Sequence, residues 1–160
     1  MNIIQSGITA KNASVAIIIA RFNELINKYL LSGTIDTLTR IGHINKENIL
    51  KIYVPGTYEI PVVASYIANS KKYDAIIAIG TIIKGETDHF KYISGDTSSS
   101  LLTISTKYFI PITSGILTTK NIEQSLERSG AKMGNKGSQA AFAALEMINV
   151  MKNLKKSLKI

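Results

Sequence analysis

From Val15 onward, short unbroken apolar runs alternate with segments whose apolar residues recur every three or four positions. The run Val15 to Ala20 is continuous and β-branched, the pattern of a strand buried on both faces of a parallel sheet. From Asn23 to Ile41 the residues Ile26, Leu30, Thr34, Leu38 and Ile41 keep helical spacing, with Asn23 as the expected N-cap and Gly42 as the stop. A second strand is predicted over Ile49 to Val54. A helix over Tyr58 to Ser70 follows, tolerating Pro61 because it falls in the first turn. Ala75 to Ile83 is the most apolar run and predicts the third strand; Lys84 to Asp88 is a loop, and His89 to Lys107 a helix. Ile110 to Leu117 reads as the fourth strand. A short helix, Ile122 to Ser129, stops at Gly130, and the turn Gly134 to Gly137 opens a long helix, Ser138 to Leu158.

Parallel neighbours need crossover connections, and these are overwhelmingly right-handed. The order β-α-β-α-β-α-β-α-α therefore predicts an α/β protein: three αβα layers around a four-stranded parallel, flavodoxin-like sheet. Two readings are open for Met1 to Ser14, an edge strand added to a neighbouring subunit or a frayed terminus. No repeat and no linker interrupts the pattern, so residues 1–160 are expected to form a single domain.

Composition narrows the chemistry. With 45% hydrophobic and 19% charged residues the chain is too apolar for a disordered tail, and no apolar stretch reaches the roughly 18 residues of a membrane span. No secretion signal is read in Met1 to Ser14, and the expected location is the cytoplasm. The absence of Cys removes thiolate nucleophiles and Cys-based metal sites, and two His are too few for a His-rich cage. The net charge of +8 comes mainly from 16 Lys in a chain that also holds 27 Ile. That joint excess has the look of codon bias, so neither nucleic acid nor membrane is an expected partner.

In open α/β sheets, ligands bind beyond the carboxyl ends of the strands. The loops assigned there hold Arg21-Phe22-Asn23, Pro55 to Glu59, Lys84 to His89, and Ser114 to Thr118. GxGxxG is missing, and Gly80 to Glu86 has Glu where a phosphate-binding GxxxxGK needs Lys. Clustered acids of the phospho-receiver kind are missing too, since Arg21-Phe22 follows the first strand. His89 is suited to moving protons near neutral pH, or is simply a polar residue at a helix end. His43 reads as a capping or surface residue. Backbone N–H groups around Gly85, Glu86 and Thr87 suit an anion at a helix start, although Glu86 and Asp88 oppose it unless they turn outward. Arg128 offers a planar fork for phosphate, or a favourable charge at a helix C-terminus. Phe22 is a stacking platform or a core aromatic, and Glu59 a hydroxyl acceptor or a charge placed for the helix dipole.

At these loops the sequence resembles the 6,7-dimethyl-8-ribityllumazine synthase family over nearly its whole length. Five ordered strings carry the likeness: ARFN at Ala20 to Asn23, VPGTYEIP at Val54 to Pro61, GTIIKGETDHFKYI at Gly80 to Ile93, GILTT at Gly115 to Thr119, and ERSGAKMGNKGSQAA at Glu127 to Ala141. The resemblance implies a cofactor-free condensation of 5-amino-6-(D-ribitylamino)uracil with 3,4-dihydroxy-2-butanone 4-phosphate, the penultimate step of riboflavin biosynthesis. It implies that Phe22 stacks on the pyrimidine and that Thr57, Tyr58 and Glu59 hold the ribityl chain and uracil edge, with Thr81, Ile82 and Ile83 beside them. It further implies that Glu86 and Thr87 meet the butanone phosphate through backbone N–H, that Arg128 clamps the phosphate with Lys136 as helper, and that His89 shuttles protons. The family's assembly implies a homopentamer with sites between neighbours, a 60-subunit icosahedral shell, and riboflavin synthase as a candidate partner. One position departs: where relatives carry Phe, Ser114 precedes Gly115, which removes aromatic surface from the expected pyrimidine pocket.

Overall fold

The computed structural model describes residues 1–160. Four parallel strands, β1 (Val15–Ala20), β2 (Ile49–Val54), β3 (Ala75–Ile83) and β4 (Ile112–Thr119), form one sheet in the order β2-β1-β3-β4. The register runs Val15 beside Ile49 and Ala75, and Ala78 beside Ser114. The chain thus starts in the middle of the sheet and reverses direction of growth between β2 and β3, which is the flavodoxin-like order expected from the sequence.

Strand periodicity explains why β1 is apolar throughout. Val15, Ile17 and Ile19 face one layer, with Ile77 and Ile79 of β3, while Ala16, Ile18 and Ala20 face the other, with Ile76 and Ala78. The first layer contains α1 (Glu24–Asp36) and α5 (Lys136–Leu158), which supply Leu30, Ala141, Ala144 and Leu145 to the core. The second contains α2 (Ile60–Ser70) and α3 (His89–Tyr108), supplying Ile60, Ala64, Ala68, Leu101 and Ile104. Each fully buried Ile is worth roughly 1.5–3 kcal/mol over its exposed state. Pro61 sits at the start of α2, where its missing N–H has no helical acceptor.

Several local features differ from the sequence reading. Asn23 stands at the N-cap position of α1, its carbonyl accepting from Asn27 N–H at 3.2 Å, but its side chain makes no cap bond: its backbone is left-handed at φ 63° and its amide is engaged elsewhere. The end of the first predicted helix, Thr37–Ile41, widens into a π turn closed by Gly42 N–H donating to the Thr37 carbonyl at 2.9 Å. Exposed ion pairs line the solvent side of α1. Arg40 bonded to Asp36 at 2.6 Å holds that carboxyl below its ordinary range and is itself raised, while Glu24 at 2.9 Å raises Lys28. Such exposed pairs add little to stability.

The segment after α4 (Ile122–Glu127) forms a small antiparallel ribbon, β5 (Ser129–Ala131) and β6 (Gly134–Asn135), which the sequence pattern did not predict. Gly130 at φ 129° and Gly134 at φ 75° permit its turns, a region L side chains rarely adopt. Residues 1–14 form no strand within the chain and are pinned along their second half. Asn149 Nδ2 donates to the Gly7 and Thr9 carbonyls, and Ala10 N–H to the Gly42 carbonyl. No helix is long and apolar enough to cross a membrane.

Candidate active site

The carboxyl ends of β1, β2 and β3 open onto one cleft with two overlapping lobes. The larger, about 480 Å³, is lined by Phe22, Gly56 to Glu59, Thr81, His89 and the α3 residues Tyr92, Ile93 and Asp96. The smaller, about 220 Å³, shares Phe22, Thr57, Thr81, His89 and Ile93 and adds Asn23, Ile82, Ile83, Gly85, Thr87 and Phe90. The larger lobe has the volume of a small-molecule site, and the walls mix apolar surface with a few converging polar groups.

Each wall follows from its local sequence. β1 ends at Ala20, and the Arg21-Phe22-Asn23 turn leaves the Phe22 ring 74% exposed, so the core reading of this aromatic gives way to a projecting ring. After β2, Gly56 is extended and Thr57–Glu59 make one 3₁₀ turn before α2. Close packing places Thr57 against Gly80: a Cβ on Gly80 would collide with Thr57 Cγ2. Thr57 is buried, Glu59 half-buried and Tyr58 exposed. His89 is the first residue of α3, and Tyr92, Ile93 and Asp96 recur at helical spacing on the same side. Sequence reasoning missed those three, although their spacing from His89 was the available signal.

The Lys84–Asp88 loop leaves backbone donors free at a helix start. The N–H groups of Gly85 through Asp88 take no backbone partner, and they precede the N-terminus of α3. Asp88, which opposed the anion reading, is drawn away to Lys91 Nζ at 3.2 Å. Lys84 lies over the Phe90 ring, its Nζ 5.9 Å from the centroid. Glu86 is exposed and lines neither lobe. No three His, Asp or Glu side chains come together in a set that could hold a metal ion.

Besides Glu86, three expected residues do not line the cleft. Arg128 caps α4, with Nη1 donating to the Gln124 carbonyl at 3.3 Å, and Lys136 opens α5. Those two are neighbours, since Lys136 N–H donates to the Arg128 carbonyl at 2.9 Å, but neither lines the cleft. Ser114 falls both within the predicted strand Ile110 to Leu117 and in the loop assigned beyond it, and the strand reading holds: β4 continues to Thr119, so Ser114 is an exposed residue within the edge strand, its Oγ accepting from Ile116 N–H at 3.3 Å. The strand persists because Thr118 and Thr119 are β-branched and pair with Ile82 and Ile83.

A doubly wound parallel sheet with a ligand-sized cleft at its carboxyl edge, bearing an imidazole, an aromatic platform and a helix start, defines an α/β enzyme of the flavodoxin-like class. The profile of the 6,7-dimethyl-8-ribityllumazine synthases matches residues 12–152. A protein of that name from Buchnera aphidicola subsp. Acyrthosiphon pisum (strain Tuc7) is 81% identical over 156 residues, covering 98% of each chain. One from Buchnera aphidicola subsp. Schizaphis graminum (strain Sg) is 80% identical over 156 residues with the same coverage. One from Yersinia pestis (strain Pestoides F) is 52% identical over 155 residues, covering 97% of this chain and 99% of its own. The chain belongs to the 6,7-dimethyl-8-ribityllumazine synthase family, transferase-type enzymes of riboflavin biosynthesis.

Proposed function

We propose that the cleft condenses 5-amino-6-(D-ribitylamino)uracil with 3,4-dihydroxy-2-butanone 4-phosphate, releasing 6,7-dimethyl-8-ribityllumazine, phosphate and water. The observation that carries this reading is the convergence of Phe22, Thr57, Tyr58, Glu59, Thr81 and His89 on one cavity. Phe22 stacks on the pyrimidine, and Thr57, Tyr58 and Glu59 hold the ribityl hydroxyls and the uracil edge, flanked by Thr81, Ile82 and Ile83. Phosphate rests on the N–H groups at Glu86 and Thr87. The substrate amine attacks the ketone and a first water leaves as the imine forms; loss of the proton on the hydroxyl-bearing carbon expels phosphate from its neighbour, the resulting enol tautomerises to a new carbonyl, and the second amine adds there and expels a second water to close the ring. The reactants bring their own nucleophile, electrophile and leaving group, so holding them together supplies much of the acceleration. His89 carries protons between the amine, the hydroxyl that leaves as water and the carbon that tautomerises.

Arg128 clamps the phosphate, assisted by Lys136, and Ser114 borders the pyrimidine; all three belong to the site of a neighbouring copy. Support comes from the cleft's lining, which has no Lys or Arg, and from the pair of cations that stands elsewhere on the chain. The single domain of residues 1–160 then assembles as a pentamer and as a 60-subunit shell in the cytoplasm, with riboflavin synthase as a possible guest. Exposed Ile3 and Ile4 give the N-terminal segment an apolar strip suited to the edge of a neighbour's sheet.

The test is product absorbance above the uncatalysed background when both substrates are supplied. His89→Ala is expected to lower turnover by about 10²-fold, and Arg128→Ala chiefly to raise KM for the phosphate substrate. A wild-type rate equal to background overturns the function, and an unchanged phosphate KM in Arg128→Ala overturns the anion assignment.

A further inference from the structure

Asn27, on α1, is 1% exposed, yet its amide is fully bonded. Its Nδ2 donates to the Ala20 carbonyl at 2.7 Å and to the Phe22 carbonyl at 2.8 Å, while its Oδ1 accepts from the Thr81 hydroxyl at 2.7 Å. Asn23 grips the same strand end: its Nδ2 donates to the Thr81 carbonyl at 2.8 Å, from a left-handed backbone that Asn tolerates better than most residues. Two side chains therefore tie the turn after β1 to the end of β3, through Thr81, which is itself buried. An apolar residue at position 27 would fill similar space but leave two carbonyls and a hydroxyl unmatched, and a fully matched buried network specifies one arrangement.

The bonds end on the carbonyls of Ala20 and Phe22, on either side of Arg21, so what they fix is the turn that presents the Phe22 ring to the cleft. We infer that Asn27 and Asn23 are positioning residues which clamp this turn to Thr81, hold Phe22 as a rigid stacking surface, and thereby set affinity for the pyrimidine reactant selectively over the phosphate reactant. The inference deepens the proposed function and rests on it for the identity of the planar ligand. It also gives Thr81 a task beside lining the cleft, since its hydroxyl proton is committed to Asn27 and anchors the clamp.

The chain contains no Trp, so Phe22→Trp places a single indole on the platform. In that background Asn23→Gly accepts the left-handed backbone freely and deletes one clamp bond, whereas Asn27→Leu deletes three. Acrylamide quenching and fluorescence anisotropy without substrate are expected to show a more mobile indole in both, and most in Asn27→Leu. In the native Phe22 chain, Asn23→Gly is expected to raise KM for the pyrimidine substrate roughly three- to tenfold and to leave KM for the phosphate substrate within about twofold. Where Asn27→Leu does not fold, Asn23→Gly alone decides. Indole quenching and anisotropy equal to the parent, or a loss of active protein with both KM values unchanged, overturns the clamp. The fluorescence arm needs no turnover, so a chain that forms no product would remove the function without removing the clamp.

Discussion

The cleft under Phe22 and the ribbon that bears Arg128 and Lys136 are built in opposite ways. The cleft stands on the carboxyl ends of buried strands, has its turn bonded to Thr81, and offers aromatic, hydroxyl, carboxylate and imidazole groups but no cation in its lining. The ribbon is two short strands flanked by Arg128 and Lys136, with Lys132 in its turn, and it lines neither lobe of the cleft. A reaction that expels phosphate needs both kinds of group within a few ångströms. Rigid strand ends are good at orienting a planar reactant, and a cationic surface element is useful only against something that docks on it. Under the proposed function, the cleft and the cationic segment are two half-sites of complementary chemistry, joined where a second copy completes the site.

The largest effect expected from breaking this division is intersubunit rescue. His89→Ala and Arg128→Ala chains, each impaired alone at low phosphate-substrate concentration, are co-expressed and the mixed assemblies assayed. If sites are shared between neighbours, roughly a quarter of them combine an intact His89 with an intact Arg128, and activity returns far above either parent. Activity no higher than the average of the two parents would place both groups in one chain's site and end the half-site picture.

Next in size is the attachment of the ribbon. Asn135 Nδ2 donates to the Tyr29 carbonyl of α1 and to the Ser129 carbonyl, both at 2.9 Å, and its Oδ1 caps α5 through Ser138 N–H at 3.0 Å. Gly137 lets α5 approach α1: a Cβ there would collide with the Leu30 carbonyl oxygen and come within 2.5 Å of Thr34 Oγ1. Backbone cannot yield as a flexible side chain does, so Gly137→Ala is expected to cost about 1–3 kcal/mol and lower Tm by several degrees. Its kinetic signature should be a higher KM for the phosphate substrate with the pyrimidine KM kept, since the shift moves Lys136 and not Phe22. An unchanged Tm would show that the helices separate without strain.

These particulars also show what the sequence could carry. β1, β2 and β3 were readable to the residue: β1 and β3 as largely apolar runs set by burial on two faces, and β2, a half-exposed edge strand, from its Ile, Leu, Tyr and Val around Lys51. The cleft residues from Phe22 to His89 followed from that, since strand ends fix where loops converge. The ribbon escaped because strands of two or three residues around Gly130 and Gly134 leave no period to detect. Asn23 takes the N-cap position the sequence predicts, but its side-chain partner, the Thr81 carbonyl, lies 58 residues away and leaves no local signal. The far end of β4 is read two residues short, at Leu117 instead of Thr119, because Thr118 and Thr119 fit strand and loop equally well.

Ser114 supplies the smallest expected effect and the finest test of the comparison, because it belongs to neither half-site within the chain. It shares a sheet face with Ile112 and Ile116, which pack into the α2–α3 side of the core, yet it stays exposed at the edge of the sheet. A larger side chain there meets solvent in the isolated chain, so Ser114→Phe is expected to leave Tm nearly unchanged. In the assembly the new ring would border the pyrimidine held by a neighbour's Phe22, and a second aromatic contact of about 0.5–1.5 kcal/mol tightens binding roughly two- to tenfold. Titration of the native protein and the variant with the uracil substrate measures this directly. Tighter binding by Ser114→Phe, absent when the variant is kept dissociated, sharpens the case that one copy's edge strand completes another's cleft. Equal or weaker binding would mean that Ser114 never borders the pyrimidine, leaving the ribbon alone to bridge the two half-sites.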